Sequence, residues 1–312
     1  MRAKAFLLAT LILVAAAPPA FAERTVATFS IVAADPATGE VGIAVASRFF
    51  AVGSVVPYGK AGTGAVATQA SADTSFGPRG LELLARGALP EEIAAILLRG
   101  DTNANRRQFG IVAADGRSFS YTGKDCGPWA GGRSGPNYAV QGNILAGEPV
   151  VVAMEAAFLA AKGTLADRMY AALLAGDAKG GDSRGKQSAS LQIWKAKAGF
   201  GGVDDRAIDI RVDDHADPFG ELGRLLAYAQ MNYSWNEAWT LFTQKKPADA
   251  LPHMERAVRL APKNAEAHYD LAVIRLAAGN RAGALEALDE AFALNPKLKA
   301  QAAGDKDLEG LR

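Results

Sequence analysis

The sequence has few of the residues on which most metal and redox sites depend. It contains one cysteine, Cys126, and three histidines, His215, His253 and His268, among 312 residues. A single cysteine excludes an intrachain disulfide, and the histidines are too dispersed to predict a histidine-based metal site. We therefore predict no metal and no cofactor, and chemistry based on hydroxyl, amide, carboxylate, lysine and arginine groups. The neighbours of Cys126 supply no general base, so we expect this residue to pack in or near the core.

The sequence also lacks an excess of charge of either sign. Lysine and arginine total 34 and aspartate and glutamate total 33, which leaves a net charge of +1. Proteins that neutralise nucleic-acid phosphates usually carry a basic excess, so the composition argues against a nucleic-acid partner. Acidic residues are dense between Asp204 and Asp217, but the spacing of an EF-hand loop is absent, and we interpret this segment as a solvated acidic loop.

One long apolar run is present, and it lies at the N-terminus. Arg2 and Lys4 precede the apolar residues 5–17, and Ala20-Phe21-Ala22 follows them. The run is shorter than the roughly 20 residues that a transmembrane helix needs, whereas the order of the three regions is that of a secretory signal peptide. We predict a signal peptide over residues 1–22, a periplasmic or secreted protein, and no membrane association after cleavage.

The next 200 residues mix strand and helix patterns, and their order predicts the fold class. Apolar alternation and turn residues predict the following elements: a hairpin of strands 28–34 and 41–46, a loop rich in Gly and Pro at 53–62, a strand at 63–69, two helices within 77–100, a hairpin at 109–121, a strand at 138–145, a helical block at 148–174, and strands at 188–196 and 207–212. Because strands and helices do not alternate regularly, we predict an α+β fold with largely antiparallel sheets in a layered sandwich.

The composition changes after Asp217-Pro218, where glycine becomes sparse and Ala, Leu and aromatic residues recur at helical spacing. Residues 265–296 follow the pattern of a 34-residue helix-turn-helix repeat, and Ala291 and Pro296 recur one repeat earlier as Ala257 and Pro262. We predict a sandwich domain over residues 23–226 and a tetratricopeptide-like helical region over residues 227–312. Two repeats are too few for a stable solenoid, so we expect them to pack on the first domain, to self-associate or to bind a protein partner.

Polar residues interrupt the predicted strands at four places. They are Ser47-Arg48, Thr68-Gln69, Gln141-Gly142-Asn143 and the segment 180–188. One such segment alone is ordinary turn chemistry. Four of them favour a cleft, since glycine lets backbone amides approach a ligand.

These segments carry a resemblance to a known family. Residues 28–36, 45–48, 64–69, 138–143 and 180–188 closely resemble the domain of unknown function family 1028, in the same order. The resemblance runs from about Thr28 to Leu226. The family is grouped with the N-terminal nucleophile (Ntn) hydrolases, which implies a four-layer αββα sandwich with two antiparallel sheets between helical layers.

The resemblance also implies a catalytic group. In Ntn hydrolases the first residue of the mature chain attacks an amide carbonyl, and its own α-amine is the general base. By its place at the start of strand one, Thr28 is the implied nucleophile, and the implied substrate is a small or peptide-like amide. Ser47 and Arg48 resemble the Ser-Arg pair that ends strand two of proteasome-type subunits. Lys60 lies near the position of their lysine that tunes the nucleophile, but Ala46 replaces the acidic partner of that lysine.

The remaining candidates are expected to contact substrate. Ser30 is the next polar residue on the same side of strand one as the nucleophile. Gln69, Asn143 and Asp182 are candidate oxyanion donors or substrate contacts, and Arg184 can hold a carboxylate through two parallel hydrogen bonds. Ser188, at the end of the last polar segment, is a further candidate for the substrate site.

Processing decides between two functions. Cleavage after Ala22 leaves residues 23–27 in front of Thr28, so the Thr28 amine would be locked in a peptide bond. Catalysis then requires a second cleavage between Ala27 and Thr28, or a signal peptidase that cuts there. The sequence leaves open an exported Ntn-type hydrolase and a noncatalytic exported protein that binds a small molecule in the sandwich and a partner through the repeats.

Overall fold

The protein is described here by a computed structural model that covers residues 28–311. The predicted signal peptide and residues 23–27 lie outside the described residues. Strands and helices follow one another in an order that agrees with the predicted α+β class.

The strands of this part of the chain belong to two antiparallel sheets. They are β1 (Thr28–Asp35), β2 (Glu40–Ser47), β3 (Pro57–Lys60), β4 (Gly64–Ala70), β5 (Arg107–Ala113), β6 (Ser118–Thr122), β7 (Ala130–Gly135), β8 (Tyr138–Asn143), β9 (Ser188–Trp194) and β10 (Arg206–Val212). The larger sheet has the order β10-β9-β2-β1-β8-β7, and the smaller one has the order β3-β4-β5-β6.

The helices fall into two groups, one on the sheets and one at the C-terminus. They are α1 (Phe76–Ala85), α2 (Pro90–Leu98), α3 (Pro149–Ala160), α4 (Leu165–Ala178), α5 (Pro218–Thr243), α6 (Pro247–Leu260), α7 (Ala265–Ala277), α8 (Arg281–Leu294) and α9 (Leu298–Gly304). Among residues 28–311, none of them is long and apolar enough to span a membrane.

Strand β1 shows why the sheets are stacked between helices. Its residues alternate between two buried faces, as side chains of a strand must. Phe29 and Ile31 pack with residues of α3, α4 and α5 in one core, whereas Val32 and Ala34 pack in a second core against the smaller sheet. A third core joins the outer face of the smaller sheet to α1 and α2. The molecule therefore has the layer order helix, sheet, sheet, helix, which confirms the predicted αββα sandwich.

The C-terminal helices form a core of their own. It contains Met231 and Ala238 of α5 together with apolar residues of α6, α7 and α8. The first part of α5, up to Leu226, belongs instead to the core under the larger sheet. One continuous helix thus joins the sandwich to the helical unit, and the sequence boundary at residues 226/227 lies inside that helix.

Three local features differ from the sequence prediction. Residues 57–60, predicted as loop, form the short edge strand β3, and the glycine-rich residues 130–135 form β7, where no strand was predicted. Glycine and proline weaken the strand signal, and both segments lie at sheet edges, where these residues are tolerated. The helical block predicted at 148–174 is divided into α3 and α4 by a turn at Gly163, whose φ of 105° disfavours other residues.

Candidate functional site

A row of polar residues crosses four neighbouring strands at one end of the larger sheet. Thr28 of β1 is paired with Asn143 of β8 on one side and with Ser47 of β2 on the other. Ser47 is in turn paired with Ser188 of β9. Residues opposite one another in an antiparallel ladder point to the same face, so these four side chains lie next to one another. We call Asn143, Thr28, Ser47 and Ser188 the polar row.

Thr28 lies at the centre of this row and is completely buried. Its hydroxyl donates a hydrogen bond to the hydroxyl of Ser47 over 3.3 Å. Its carbonyl oxygen accepts a hydrogen bond of 3.3 Å from the side-chain amide of Gln69, which belongs to the smaller sheet. The predicted nucleophile is thus held from both sheets at once.

Behind the polar row, buried amides connect the two sheets. Ser30 donates to Oε1 of Gln69 over 2.6 Å, and Nε2 of Gln141 donates to the Ser30 hydroxyl over 2.6 Å. Nε2 of Gln69 donates to Oε1 of Gln108 over 2.9 Å, and Asn143 donates to the same oxygen over 2.8 Å. We call Ser30, Gln69, Gln108 and Gln141 the amide network. Because all four are fully buried, each hydrogen bond replaces one that water would otherwise supply.

The network corrects the expected role of Gln69 and adds a residue that the sequence analysis missed. Both hydrogen-bonding ends of the Gln69 amide are engaged within the protein, so it positions the Thr28 backbone rather than facing an open site as an oxyanion donor. Gln108 bridges Gln69 and Asn143 and was not predicted. The signal available in the sequence was its place directly before the apolar run 109–113; the structure shows that it lies opposite Gln69.

Close approach of backbone and side chain is required at one point of the network. If residue 110 had a side chain, its Cβ would lie 2.3 Å from the side-chain oxygen of Gln141. That oxygen has no hydrogen-bond partner among residues 28–311. Glycine at 110 therefore makes room for a buried amide between the sheets.

A second cluster closes the end of the polar row. The carboxylate of Asp182 accepts a hydrogen bond of 2.9 Å from the backbone amide of Arg48. The guanidinium of Arg184 holds the same carboxylate with contacts of 3.1 Å from Nε and 2.8 Å from Nη2. Arg184 therefore holds a carboxylate through two hydrogen bonds, but this carboxylate belongs to Asp182 and not to a ligand. Asp182 ties the end of β2 to the turn that precedes β9.

Ser188 has a related position and a visible structural role. Its hydroxyl donates to the carbonyl of Phe49 and accepts a hydrogen bond of 3.2 Å from the backbone amide of Val52. It therefore fixes the loop that follows β2, next to Ser47 and Arg48.

A small cavity of about 100 Å³ opens beside the row. Its lining includes the polar residues Ser47, Asp182 and Ser188 together with Phe29, Phe219 and Lys186. Thr28 does not line it, although its hydroxyl contacts Ser47. A volume of this size accommodates only a few heavy atoms.

Two predicted catalytic side chains do not contact Thr28: the exposed guanidinium of Arg48 donates to the carbonyl of Arg184 over 3.5 Å, and Lys60 lies further away. Lys60 is exposed at the end of β3 and is paired with Gly64, at the start of β4. Gln69, which contacts Thr28, lies five residues further along β4, or about 17 Å at 3.3 Å per residue. The prediction for Lys60 was wrong because the lysine precedes β4 at its far end, whereas the site lies where β4 stops.

The other titratable groups singled out from the sequence lie outside the site. Cys126 is buried, its thiol contacts the carbonyl of Arg107 over 3.3 Å, and burial raises its pKa, which makes it a poor nucleophile. The acidic residues Asp204 and Asp209 are paired with Arg206 and Arg211. No group of three or more His, Cys, Asp or Glu side chains in the described part of the chain is arranged to hold a metal ion.

Comparisons with known proteins agree with this architecture. Residues 28–222 match the family of unknown function DUF1028, and residues 241–304 match a tetratricopeptide repeat. No curated protein matches the chain. The crystal structure of a DUF1028-family protein from Silicibacter pomeroyi is similar, with a TM-score of 0.59 and 29% identity, over 65% of this chain and 89% of that one.

Proposed function

The chain belongs to the DUF1028 family, whose function is unknown, and on that premise we propose that it is an exported amide hydrolase of the Ntn type with Thr28 as its nucleophile. Its substrate is a small or peptide-like amide. The helical repeats are of a kind that indicates protein interaction in general, and we propose that they bind a protein partner or a second copy of the chain.

The observation that carries the proposal is the environment of Thr28. A threonine at the first position of a strand, with its hydroxyl 3.3 Å from a second hydroxyl and its carbonyl held by a buried amide, is fixed in direction at a sheet end. Such fixed orientation is what nucleophilic catalysis requires of its attacking group. The small cavity beside Ser47 supplies space for the acyl part of a small substrate.

The proposed reaction has two steps that share one general base. The Thr28 hydroxyl oxygen attacks the amide carbonyl carbon, and its proton passes to the free α-amine of Thr28. The C–N bond then breaks, the ammonium returns the proton to the leaving amine, and an ester on Thr28 remains. Water, deprotonated by the same amine, attacks the ester and releases the carboxylic acid and the Thr28 hydroxyl. An α-amine suits this role since its ordinary pKa is about 8.

A noncatalytic binding function is the second candidate, and the burial of Thr28 favours it. A nucleophile must meet its substrate, whereas Thr28 has no exposed surface and the adjoining cavity holds only about 100 Å³. In this alternative the polar row binds a small molecule without turning it over.

The experiment compares two purified chains that differ only at the N-terminus. One begins at Glu23, and the other is released by a protease so that it begins at Thr28. Hydrolysis of a panel of fluorogenic N-acyl amides and short peptide amides is measured for both, and the N-terminus of the protein exported by its native host is determined by intact mass. We expect turnover only from the chain that begins at Thr28.

Two variants of that chain sharpen the result. Thr28→Ala should lower turnover at least about 1,000-fold, as expected when a nucleophile is removed, whereas Thr102→Ala, an exposed threonine outside the site, should leave it unchanged. Equal turnover by the chain that begins at Glu23 would exclude the amine as base. Binding of a probe without turnover by either chain would instead support the noncatalytic alternative.

A further inference from the structure

A second and larger cavity lies where the sandwich meets the helical unit. It has a volume of about 540 Å³, within the usual range of roughly 300–1,000 Å³ for small-molecule pockets. Its walls come from the turn between β1 and β2, the start of α4, the end of β9, and helices α5 and α6. Thr28 is at the other end of β1, seven residue steps or about 23 Å away. We call this space the junction cavity.

Glu40 is the most unusual residue of the junction cavity. Its side chain lines the cavity, yet the residue is only 7% exposed. Its carboxylate accepts a hydrogen bond of 3.0 Å from Thr38, and it has no ion-pair partner among residues 28–311. Burial raises the pKa of Glu40 above its ordinary value. The charge of Lys195 offsets this effect only in part, so a further cation beside the buried carboxylate would stabilise it.

The neighbouring charges are already engaged with one another. Lys195 contacts Glu237 at 3.1 Å and the hydroxyl of Tyr233 at 3.0 Å, and His253 contacts the other oxygen of Glu237 at 3.0 Å. Although burial acts in the opposite direction, the His253 hydrogen bond and the charge of Lys195 lower the pKa of Glu237 to about 2. Lys195 and His253 are therefore both engaged with Glu237, although the charge of Lys195 also acts on Glu40.

The other acidic residues of the wall also have partners. Asp167 accepts hydrogen bonds from Thr164, which caps α4, and a hydrogen bond of 2.7 Å from Gln230. Asp35 lies 4.0 Å from Arg168. Both carboxylates therefore have partners within the protein that Glu40 lacks.

Arg256 is the cationic counterpart of Glu40. This half-buried residue of α6 lines the junction cavity and forms no ion pair within residues 28–311. Burial and the charges of Glu237 and Glu40 raise the pKa of Tyr233, and the charge of Arg256 acts against them. Glu40 and Arg256 are thus both within electrostatic reach of the same hydroxyl.

We propose that the junction cavity binds a small zwitterion, such as a free amino acid, with Glu40 accepting hydrogen bonds from its ammonium group and Arg256 donating hydrogen bonds to its carboxylate. A buried carboxylate with one protein hydrogen bond has acceptor capacity left for an ammonium donor. The planar guanidinium suits a carboxylate because it can donate two parallel hydrogen bonds. The ligand thus forms ion pairs with Glu40 and Arg256, which form none within residues 28–311.

This site does not depend on the hydrolase proposal, because it uses none of the residues near Thr28. It does depend on both structural units, since Glu40 belongs to the sandwich and Arg256 to the helical unit. A ligand held by both would stabilise their contact by mass action, and thermal unfolding would report its binding.

The test is binding of the twenty free amino acids to the full chain from Glu23 onward, by thermal shift and then by titration calorimetry. For each amino acid that binds, two matched probes are measured: the amine without the carboxylate, and the N-acetyl amino acid without the ammonium. We expect at least one amino acid to bind and both of its matched probes to bind at least about tenfold more weakly, as expected from the loss of a charge-assisted hydrogen bond.

Variants assign the two ends of the ligand. Glu40→Gln and Arg256→Gln should each weaken binding at least about tenfold, whereas Arg259→Gln, an exposed arginine on the same helix, should not change it. Arg256→Lys tests the geometry at the carboxylate end, because lysine retains the charge without the two-bond geometry and should bind more weakly than the unmodified protein. Absence of binding by all amino acids at millimolar concentration, equal binding of a matched probe, or unchanged binding by the Arg256 variants overturns the proposal.

Discussion

Replacement of Gln69 by leucine tests whether the amide network stabilises the space between the two sheets. Gln69 accepts from Ser30 over 2.6 Å, donates to Gln108 over 2.9 Å and reaches the Thr28 carbonyl over 3.3 Å. Leucine is close to glutamine in volume, so the substitution removes these polar contacts without opening a large cavity. The change in stability then reports the hydrogen bonds rather than the packing.

The expected cost follows from the groups that lose a partner. The Ser30 hydroxyl proton loses its acceptor in a fully buried position, which costs about 1–3 kcal/mol. Oxygen Oε1 of Gln108 keeps the hydrogen bond from Asn143, so only the net value of the lost bond, about 1 kcal/mol, applies there. We expect Gln69→Leu to lower the free energy of unfolding by about 2–4 kcal/mol, measured by urea unfolding followed by circular dichroism.

Two further variants make this prediction refutable. Gln192→Leu removes a glutamine that is also buried but whose Nε2 makes a hydrogen bond of 3.3 Å to the Gly53 carbonyl, so it should cost only about 1 kcal/mol. Ser30→Ala combined with Gln69→Leu removes the orphaned hydroxyl, so the double variant should be about 1 kcal/mol more stable than the sum of the single changes. Equal costs for Gln69→Leu and Gln192→Leu, or strict additivity, would refute the network as a stabilising unit.

Three other changes have distinct expected outcomes. The pKa of Glu40 is raised in the folded state, so its negative charge lowers the stability of the protein at pH values above its ordinary pKa of 4.5. Glu40→Gln should therefore raise the melting temperature at pH 7 and have little effect below pH 4. The same difference in melting temperature at both pH values would contradict this. Gly59→Ala should destabilise the protein by about 1–3 kcal/mol in urea unfolding, because the new Cβ would lie 2.2 Å from the Trp194 ring, and an unchanged midpoint would contradict it. Cys126 should react with a thiol reagent at the rate of unfolding and not at that of an exposed thiol, since it is 3% exposed.

The sequence predicts the larger features of the fold because they rest on strong local periodicity. The alternation in β1 places Phe29 and Ile31 in one core, whereas Val32 and Ala34 lie in a second core on the other face. The edge strands β3 and β7 were missed because their glycines and proline carry little strand signal. Their pairing with β4 and β8 is a tertiary effect, which local propensity does not contain.

The register between strands limits how much of the candidate site the sequence can predict. Polar residues at strand ends predict a cleft, but which of them lie together depends on pairings that the sequence does not state. Thr28 meets Ser47 and Asn143, whereas Lys60 is placed at the opposite end of β4. Gln108 was overlooked because a single glutamine at a strand end is ordinary until its cross-strand neighbour is known to be Gln69.

The position of Thr28 and its proposed chemistry have separate causes. Its position follows from pairing with β2 and β8, the hydroxyl contact to Ser47 and the amide of Gln69 on its carbonyl, and the last two contacts do not use the α-amine. The proposed mechanism needs that amine to be free. Cleavage before Thr28 would therefore supply the general base while the Ser47 contact to its hydroxyl and the Gln69 contact to its carbonyl persist, so processing would control activity without requiring the sandwich to refold.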